Sequence, residues 1–330
     1  MKNSHSLQKE LNLVKKLIKN EIIEEKTISD LYKYIFKSDG KRLRAKLSLI
    51  TSSLNKRKNK KRLKLAAIIE LLHTATLVHD DVVDESQTRR GVKSVNNIWS
   101  NAHGVLIGDY IYSKAFILMV EIGEPKILRE LANATNDISK GELIQLDSLQ
   151  NLSINLKQLE AISYFKTGRL FEASARTGAI LSGGEINFIN NVSKCAKYLG
   201  ILFQIKDDLL DYSLSEELIG KPVFQDMKEG KVTYPFYFAY KNADKKDKTK
   251  LKSYLGKNKF NIKEAYNLIH KLKGISETEL LAYEYLNQAA DAANAIKNKH
   301  IKEEMLKLIN SALYRKKWAL YLSLVTAKMN

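Results

Sequence analysis

Two clusters of aspartates are the part of this sequence best suited to chemistry. Each closes a long apolar run and has the same spacing: Asp80, Asp81 and Asp84 in the first, and Asp207, Asp208 and Asp211 in the second. Residues four apart lie on one face of a helix, so these carboxylates repel one another unless a cation binds between them. Mg²⁺ takes oxygen ligands and is commonly held by a few carboxylates, waters and substrate phosphates. We therefore predict Mg²⁺ binding at both clusters, with the six carboxylates converging on one opening if the two helices face each other.

Cationic segments lie apart from the aspartates. Lys41, Arg42 and Arg44 precede or begin an apolar run that predicts a helix. Positive charge at a helix N-terminus opposes the macrodipole, which is favourable only if an anion binds there and shares the helix N–H groups. A plain basic turn is the alternative. Residues 213–235, rich in glycine and lysine, predict a flap that closes over phosphate, with an ordinary loop as the alternative.

The composition predicts an all-α protein. Among 330 residues there are only 3 prolines and 15 glycines, and no alternating polar and apolar run stands out. The single Cys195 excludes an internal disulfide and indicates a reducing compartment. The N-terminus does not resemble a signal peptide and no apolar stretch is long enough to span a membrane, so a soluble, cytoplasmic protein is expected. Despite a net charge of +18, the lysine runs read as solvated loops, and no nucleic-acid-binding motif is present.

The apolar helices that lead to the aspartates predict where a substrate tail would lie. Metal-assisted loss of diphosphate from an allylic carbon produces a carbocation, and a dry apolar pocket with a few oriented oxygens suits such an ion. Lys166, Thr167 and Gly168 interrupt a helical pattern, and a kink there would free a backbone carbonyl. We find no catalytic-triad pattern and no glycine-rich nucleotide fingerprint.

Several motifs in fixed order resemble those of the trans-isoprenyl diphosphate synthases. They are GKRLR, HDDVVDESQTRRG, GDYIYSKAF, the Lys166–Thr167 pair, FQIKDDLLDY, GKPV and EGKVTYP, and they lie within residues 36–240. The resemblance is greatest to the long-chain members that make octaprenyl diphosphate for respiratory quinones. It implies the isoprenoid synthase type I fold, a bundle of long helices around a central cavity. Residues 1–330 would form one polyprenyl synthetase domain, and the protein would be a homodimer.

The resemblance also implies a role for each matched residue. The six aspartates would hold the allylic diphosphate through up to about three Mg²⁺ ions. Isopentenyl diphosphate would be bound by Lys41, Arg42, Arg44, His73 and Arg90. The allylic diphosphate would be held by Arg89, Lys166, Lys221 and Lys231. Thr167 and Gln204 would stabilise the carbocation, and the released diphosphate would remove the final proton. Without the resemblance, His73 would be read as a core histidine.

Product length depends on the helix that precedes Asp80. Ala75 and Thr76 lie about one turn before Asp80, where short-chain relatives place an aromatic floor, and both are small here. A growing chain could therefore pass them and run along Leu72. We predict octaprenyl diphosphate made from farnesyl diphosphate, with geranylgeranyl, heptaprenyl or solanesyl products as alternatives. Slow product release, aided by transient contact with a membrane surface, is a further expectation.

Two other functions share part of this pattern. A terpene cyclase would share the fold and the first acidic cluster, but it would not need GKRLR and its second metal motif normally contains Asn, Ser or Thr with Glu. A non-catalytic partner subunit of a heteromeric synthase would have lost acidic motifs, and this chain retains both.

Overall fold

Regular structure in the described residues is almost entirely helical, which confirms the predicted all-α fold. The computed structural model describes residues 2–21, 25–37, 40–55, 60–89, 91–212 and 223–313. The first ten helices are α1 (Lys2–Asn20), α2 (Lys26–Ile35), α3 (Leu43–Thr51), α4 (Lys60–Val83), α5 (Val95–Ile98), α6 (Asn101–Ile122), α7 (Pro125–Asp147), α8 (Leu156–Ser163), α9 (Arg169–Leu181) and α10 (Ile186–Asp211). The later helices are α11 (Gln225–Lys228), α12 (Tyr234–Asn242), α13 (Lys245–Tyr254), α14 (Ile262–Lys271), α15 (Gly274–Asn294) and α16 (Lys299–Leu313).

Two short irregularities interrupt the helices. Strands β1 (Thr88–Arg89) and β2 (Val92–Lys93) form an antiparallel hairpin in which Arg89 pairs with Val92. A π-helical turn, Tyr164–Gly168, joins α8 to α9. This turn is the predicted break at Lys166, Thr167 and Gly168.

The described residues fall into two compact units. The first contains the described residues within 2–135, 170–193 and 296–304, and the second those within 136–169, 194–295 and 305–313. The assignment of residues 1–330 to one domain stays a prediction.

In the first unit, helix α4 is buried along its apolar run and packs closely against α6. Leu65, Ile68 and Leu71 are fully buried, as the absence of a polar face predicted. Two glycines of α6 permit the approach at the end of α4 that carries the aspartates. A Cβ atom on Gly104 would lie 2.6 Å from the Val82 side chain, and one on Gly108 would collide with the imidazole that precedes Asp80.

In the second unit, the end of α10 presents the second acidic cluster. Leu202, Ile205 and Leu209 on this helix are buried, so the aspartates follow a helix that is anchored in the core. No helix in the described part of the chain is long and apolar enough to cross a membrane.

Candidate active site

The first acidic cluster lies at the end of α4, and its three carboxylates differ in environment. Asp80 and Asp84 are partly exposed and one turn apart, and the Asp84 N–H donates to the Asp80 carbonyl at 2.8 Å. Asp81 is only 4% exposed, and its Oδ1 accepts a hydrogen bond from Arg89 Nε at 2.5 Å. Two of the predicted metal ligands therefore share a face of the chain, whereas the middle aspartate is paired with a guanidinium.

The β-hairpin positions Arg89 beside Asp81. The Tyr34 hydroxyl donates to the Lys93 carbonyl at 2.6 Å and so ties β2 to helix α2. Asn96 Nδ2 donates to the Asp81 carbonyl at 3.1 Å, which fixes the chain at the base of the hairpin. Arg90 lies outside the described residues.

The predicted anion site at the start of α3 is partly filled by the protein itself. Helix α3 begins at Leu43, after Arg42 in the left-handed conformation with a φ of 49°. The Ala45 N–H, in the first turn, donates to the Glu70 carboxylate at 3.2 Å. A diphosphate would therefore share this helix end with a buried carboxylate, which the sequence analysis did not predict.

Arg44 and His73, both predicted to bind isopentenyl diphosphate, are in direct contact. Arg44 Nη1 lies 2.9 Å from His73 Nε2, and the Arg44 guanidinium lies 4.6 Å from the centroid of the Phe171 ring. His73 is thus a partner of a predicted phosphate-binding arginine and not an isolated core histidine.

A pocket in the first unit brings several predicted residues together. Arg42, His73, Asp81 and Arg89 all line one space that holds about 90 Å³ open to water-sized molecules. Cations and a carboxylate of the first acidic cluster therefore meet within one unit. This is the composition expected where a phosphorylated ligand approaches a metal-binding cluster.

The second acidic cluster is the end of a chain of hydrogen bonds. The Thr167 hydroxyl donates to Gln204 Oε1 at 2.7 Å, and Gln204 Nε2 donates to Asp208 Oδ1 at 2.9 Å. These bonds fix the amide of Gln204 and bring the two predicted carbocation-stabilising residues to the cluster. Asp207 is exposed, whereas Asp208 is buried at 5% exposure.

Asp226 is a further carboxylate at this cluster that the sequence analysis missed. The Asp211 carboxylate accepts the Gln225 and Asp226 N–H groups at 2.9 and 3.0 Å, and so caps helix α11. Burial, and then the charge of Asp226, raise the pKa values of both Asp208 and Asp211. The available signal was an acidic residue within the basic segment that precedes Gly230.

The predicted lysines of the second unit are paired with carboxylates. Lys166, on the π-helical turn, lies 2.9 Å from Glu142 Oε2. Lys231 Nζ lies 2.6 Å from Glu229 Oε2. Lys221 and residues 213–222 of the predicted flap lie outside the described residues, and the described remainder of that segment contains α11.

The chemistry of the carboxylates suits a divalent cation, although the described residues contain no preformed group of three or more metal-binding side chains. Burial, and then the charge of Asp226, disfavour the anionic forms of Asp208 and Asp211, and a bound cation would relieve this effect. Asp80 and Asp84 present oxygen donors one turn apart. The residues of each cluster therefore fit a hard cation.

Comparison with known proteins decides the family. The model of the polyprenyl synthetase family matches residues 25–272, which include both acidic clusters and the cationic segments. The chain belongs to the polyprenyl synthetase family.

Relatives of this polyprenyl synthetase include long-chain synthases. It is 40% identical over 212 residues to the octaprenyl diphosphate synthase of Escherichia coli, an alignment that covers 64% of this chain and 66% of the relative. It is 35% identical over 295 residues to the decaprenyl-diphosphate synthase of Dictyostelium discoideum, covering 88% and 63%. The chain thus aligns with slightly less than two thirds of each of these relatives.

A solved structure shares the fold of this polyprenyl synthetase. The polyprenyl synthase of Caulobacter crescentus, solved with calcium and isoprenyl diphosphate, is 31% identical and superposes with a TM-score of 0.88. The match covers 94% of this chain and 96% of that chain. The predicted isoprenoid synthase architecture is therefore confirmed at the level of the fold.

The predicted chain-length residues of this polyprenyl synthetase differ in burial. Leu72 and Ala75 are fully buried in the core of the first unit. Thr76 is partly exposed, and its hydroxyl donates to the His73 carbonyl at 2.7 Å. Of the three, Thr76 is the one whose side chain could be enlarged with the least disturbance of the core.

Proposed function

We propose that this chain is a long-chain trans-polyprenyl diphosphate synthase that condenses isopentenyl diphosphate onto an allylic diphosphate. The observation that carries the proposal is the pocket that Arg42, His73 and Arg89 line together with Asp81. Such a pocket is suited to a diphosphate next to a metal-binding cluster. Membership of the polyprenyl synthetase family and the similarity to octaprenyl and decaprenyl synthases support it.

In the proposed reaction, the bond between the allylic carbon and its diphosphate breaks, and the double bond of isopentenyl diphosphate attacks that carbon. This attack leaves a cation on the branched carbon of isopentenyl diphosphate. A proton is then lost from the neighbouring carbon on the diphosphate side, which forms the new double bond, and the released diphosphate accepts that proton. Bound Mg²⁺ supplies positive charge to the leaving diphosphate, and up to about three ions are proposed. Asp80, Asp84, Asp207 and Asp211 are the proposed ligands. Asp81 and Asp208, which accept hydrogen bonds from Arg89 and Gln204, are proposed to add negative charge beside the bound ions.

The cationic residues are proposed to form two sets, each of which binds the diphosphate of one substrate. Isopentenyl diphosphate is assigned to Lys41, Arg42, Arg44, His73 and Arg90. The allylic diphosphate is assigned to Arg89, Lys166, Lys221 and Lys231. The hydrogen bond between Thr167 and Gln204 supports the assignment of both to the carbocation, because it fixes their oxygen atoms in one place.

We further propose that the product is octaprenyl diphosphate, made from farnesyl diphosphate and used as a quinone side chain. The small side chains of Ala75 and Thr76 support a long product, and the named relatives include octaprenyl and decaprenyl synthases. The neighbouring long-chain lengths are the alternative outcomes of the assay.

A homodimer is proposed as the working form. Leu106, Ile117 and Val120 of α6 are 68%, 54% and 67% exposed, and their spacing places them along one stripe of the helix. A second copy of this chain is the proposed partner for that stripe. Light scattering at several protein concentrations tests the mass, and a monomer at all concentrations would contradict the proposal.

Release of the product at a membrane surface is tested by adding anionic vesicles, which should increase steady-state turnover.

The experiment that tests the function uses the purified chain with farnesyl diphosphate, labelled isopentenyl diphosphate and Mg²⁺. The measured quantity is the length of the labelled product by chromatography. An octaprenyl product would support the full proposal. A farnesyl or geranylgeranyl product would retain the chemistry and overturn the proposed length, and no product would overturn the enzymatic function.

A further inference from the structure

The pocket of the first unit contains cations that lie outside the sequence motifs. Lys15 and Lys19 of α1 and Lys93 of β2 line it together with Arg42 and Arg89. Helix α1 precedes the motif region, and none of its residues was predicted to belong to the site. The wall of this pocket therefore includes helix α1, which none of the sequence motifs contains.

The position of α1 at this wall is fixed by packing and by one polar contact. Leu11 and Val14 are buried in the core of the first unit, at 3% and 0% exposure. Arg42 Nη1 donates to the Leu11 carbonyl at 3.4 Å, so the cationic segment itself contacts the helix. Lys15 and Lys19 are four residues apart and therefore project from the same face of α1.

The charge of the pocket favours a polyanion. Five lysine and arginine side chains line it against two carboxylates, those of Glu70 and Asp81. Both carboxylates accept hydrogen bonds from the protein, Glu70 from the Ala45 N–H and Asp81 from Arg89. A bound diphosphate would therefore meet an excess of positive charge.

The rest of the wall favours a short apolar group attached to that polyanion. Ile35, Phe36, Val92 and Val95 also line the pocket. A ligand with a diphosphate head and a small branched hydrocarbon would satisfy both parts of the wall. Isopentenyl diphosphate has this composition.

We propose that Lys15, Lys19 and Lys93 bind the diphosphate of isopentenyl diphosphate, in addition to the residues of the motifs. This inference rests on the proposed function. These lysines would contribute equally to the ground state and the transition state, because the isopentenyl diphosphate group does not leave in the reaction. Their loss should therefore raise KM for this substrate and leave kcat unchanged.

The test compares single and double lysine variants in steady state. Lys15→Met, Lys19→Met and Lys93→Met should each raise KM for isopentenyl diphosphate about threefold to tenfold, as expected for partly exposed charge pairs. The double variant Lys15→Met/Lys19→Met should show a larger increase, with kcat and KM for farnesyl diphosphate within about twofold of the wild type. Lys15→Arg, in contrast to Lys15→Met, should retain most of the affinity for isopentenyl diphosphate because it keeps the positive charge.

Lys16→Met is the matched control. Lys16 is exposed on the same helix and does not line the pocket, so its removal changes the net charge of α1 equally without changing the wall. Its kinetic constants should equal those of the wild type. Thermal melting of each variant checks that the fold is retained.

An unchanged KM for isopentenyl diphosphate in the folded double variant would overturn the inference, as would a fall in kcat without a change in KM. Calorimetric titration with inorganic pyrophosphate separates this inference from the proposed function. If the wild type has no synthase activity, the proposed function fails. A threefold to tenfold weaker binding of pyrophosphate to the double variant than to Lys16→Met would then still support the lysine site, and equal binding would overturn it.

Discussion

Replacement of the middle aspartate of the first cluster should affect the protein differently from replacement of its neighbour. Asp81 is buried and bonded to Arg89 at 2.5 Å, whereas Asp80 is partly exposed and shares a helix face with Asp84. We therefore expect Asp81→Asn to reduce stability and Asp80→Asn to reduce the response to Mg²⁺. The two variants remove the same charge from adjacent residues, so the comparison isolates position.

The magnitude for Asp81→Asn follows from the contact it loses. A hydrogen bond to a charged group contributes about 1.5–3 kcal/mol. The Arg89 side chain is 31% exposed and can be partly hydrated after the loss, so a destabilisation of about 2 kcal/mol is expected. For a chain of this size, that corresponds to a fall in the melting temperature of about 3 °C.

The assay is thermal melting with and without Mg²⁺, together with synthase activity. Asp81→Asn should melt at lower temperature but retain a rise in melting temperature on addition of Mg²⁺. Asp80→Asn should melt within about 1 °C of the wild type without metal and lose most of that rise, with activity reduced at least about a hundredfold. Asp30→Asn, an exposed aspartate on α2, is the control and should change neither quantity.

The opposite pattern would refute this assignment. If Asp81→Asn melted like the wild type and lost the Mg²⁺ response, the contact between Asp81 and Arg89 would not stabilise the folded protein. Asp81 would then be a metal ligand.

Three further predictions concern other parts of the chain. Burial raises the pKa of Glu279 to about 7, and its Oε1 has no hydrogen-bond partner among the described residues. When the pKa of a carboxyl group is higher in the folded than in the unfolded protein, stability falls as the pH rises from the unfolded-state pKa through the folded-state pKa. Glu279→Gln should therefore increase the free energy of unfolding by about 3 kcal/mol at about pH 8 and by little at about pH 4.5. Thr76→Tyr should give a shorter product, measured by chromatography. Ala75→Tyr, at a fully buried position, should also overpack the core, which lowers the free energy of unfolding by about 1–3 kcal/mol and with it the melting temperature. Lys206, 3% exposed, donates to a backbone carbonyl near the end of α16 at 2.6 Å, so Lys206→Met should accelerate hydrogen exchange in α16.

Much of the fold could be predicted because the local signals agree. Low proline and glycine content and continuous apolar runs specify long helices, and the runs before Asp80 and Asp207 are buried as expected. The irregular turn at Thr167 was also predicted, because Gly168 disfavours a regular helix there. These features depend on residues close in sequence.

The missing parts of the site depend on contacts between residues distant in sequence. Glu70 reaches the start of α3 across 25 positions, and the Tyr34 hydroxyl contacts the hairpin across 59 positions. The inclusion of Lys15 in the pocket wall depends on how α1 packs. None of these residues has a local pattern that distinguishes it from an ordinary surface or core residue.

The two acidic clusters also show why equal spacing does not give equal roles. On a helix, successive residues are about 100° apart, so the first and last aspartates of each motif lie about 40° apart, and the middle one lies about 60° from the last and about 100° from the first. In both clusters the middle residue is the buried one and accepts a hydrogen bond from a protein side chain, Arg89 for Asp81 and Gln204 for Asp208. The helical period therefore places the middle aspartate at one side of the group, but it does not by itself predict that this residue is buried. The hydrogen-bond donor to the middle aspartate is set by the structure around each cluster. It comes from the folded hairpin for Asp81 and from the preceding turn of α10 for Asp208.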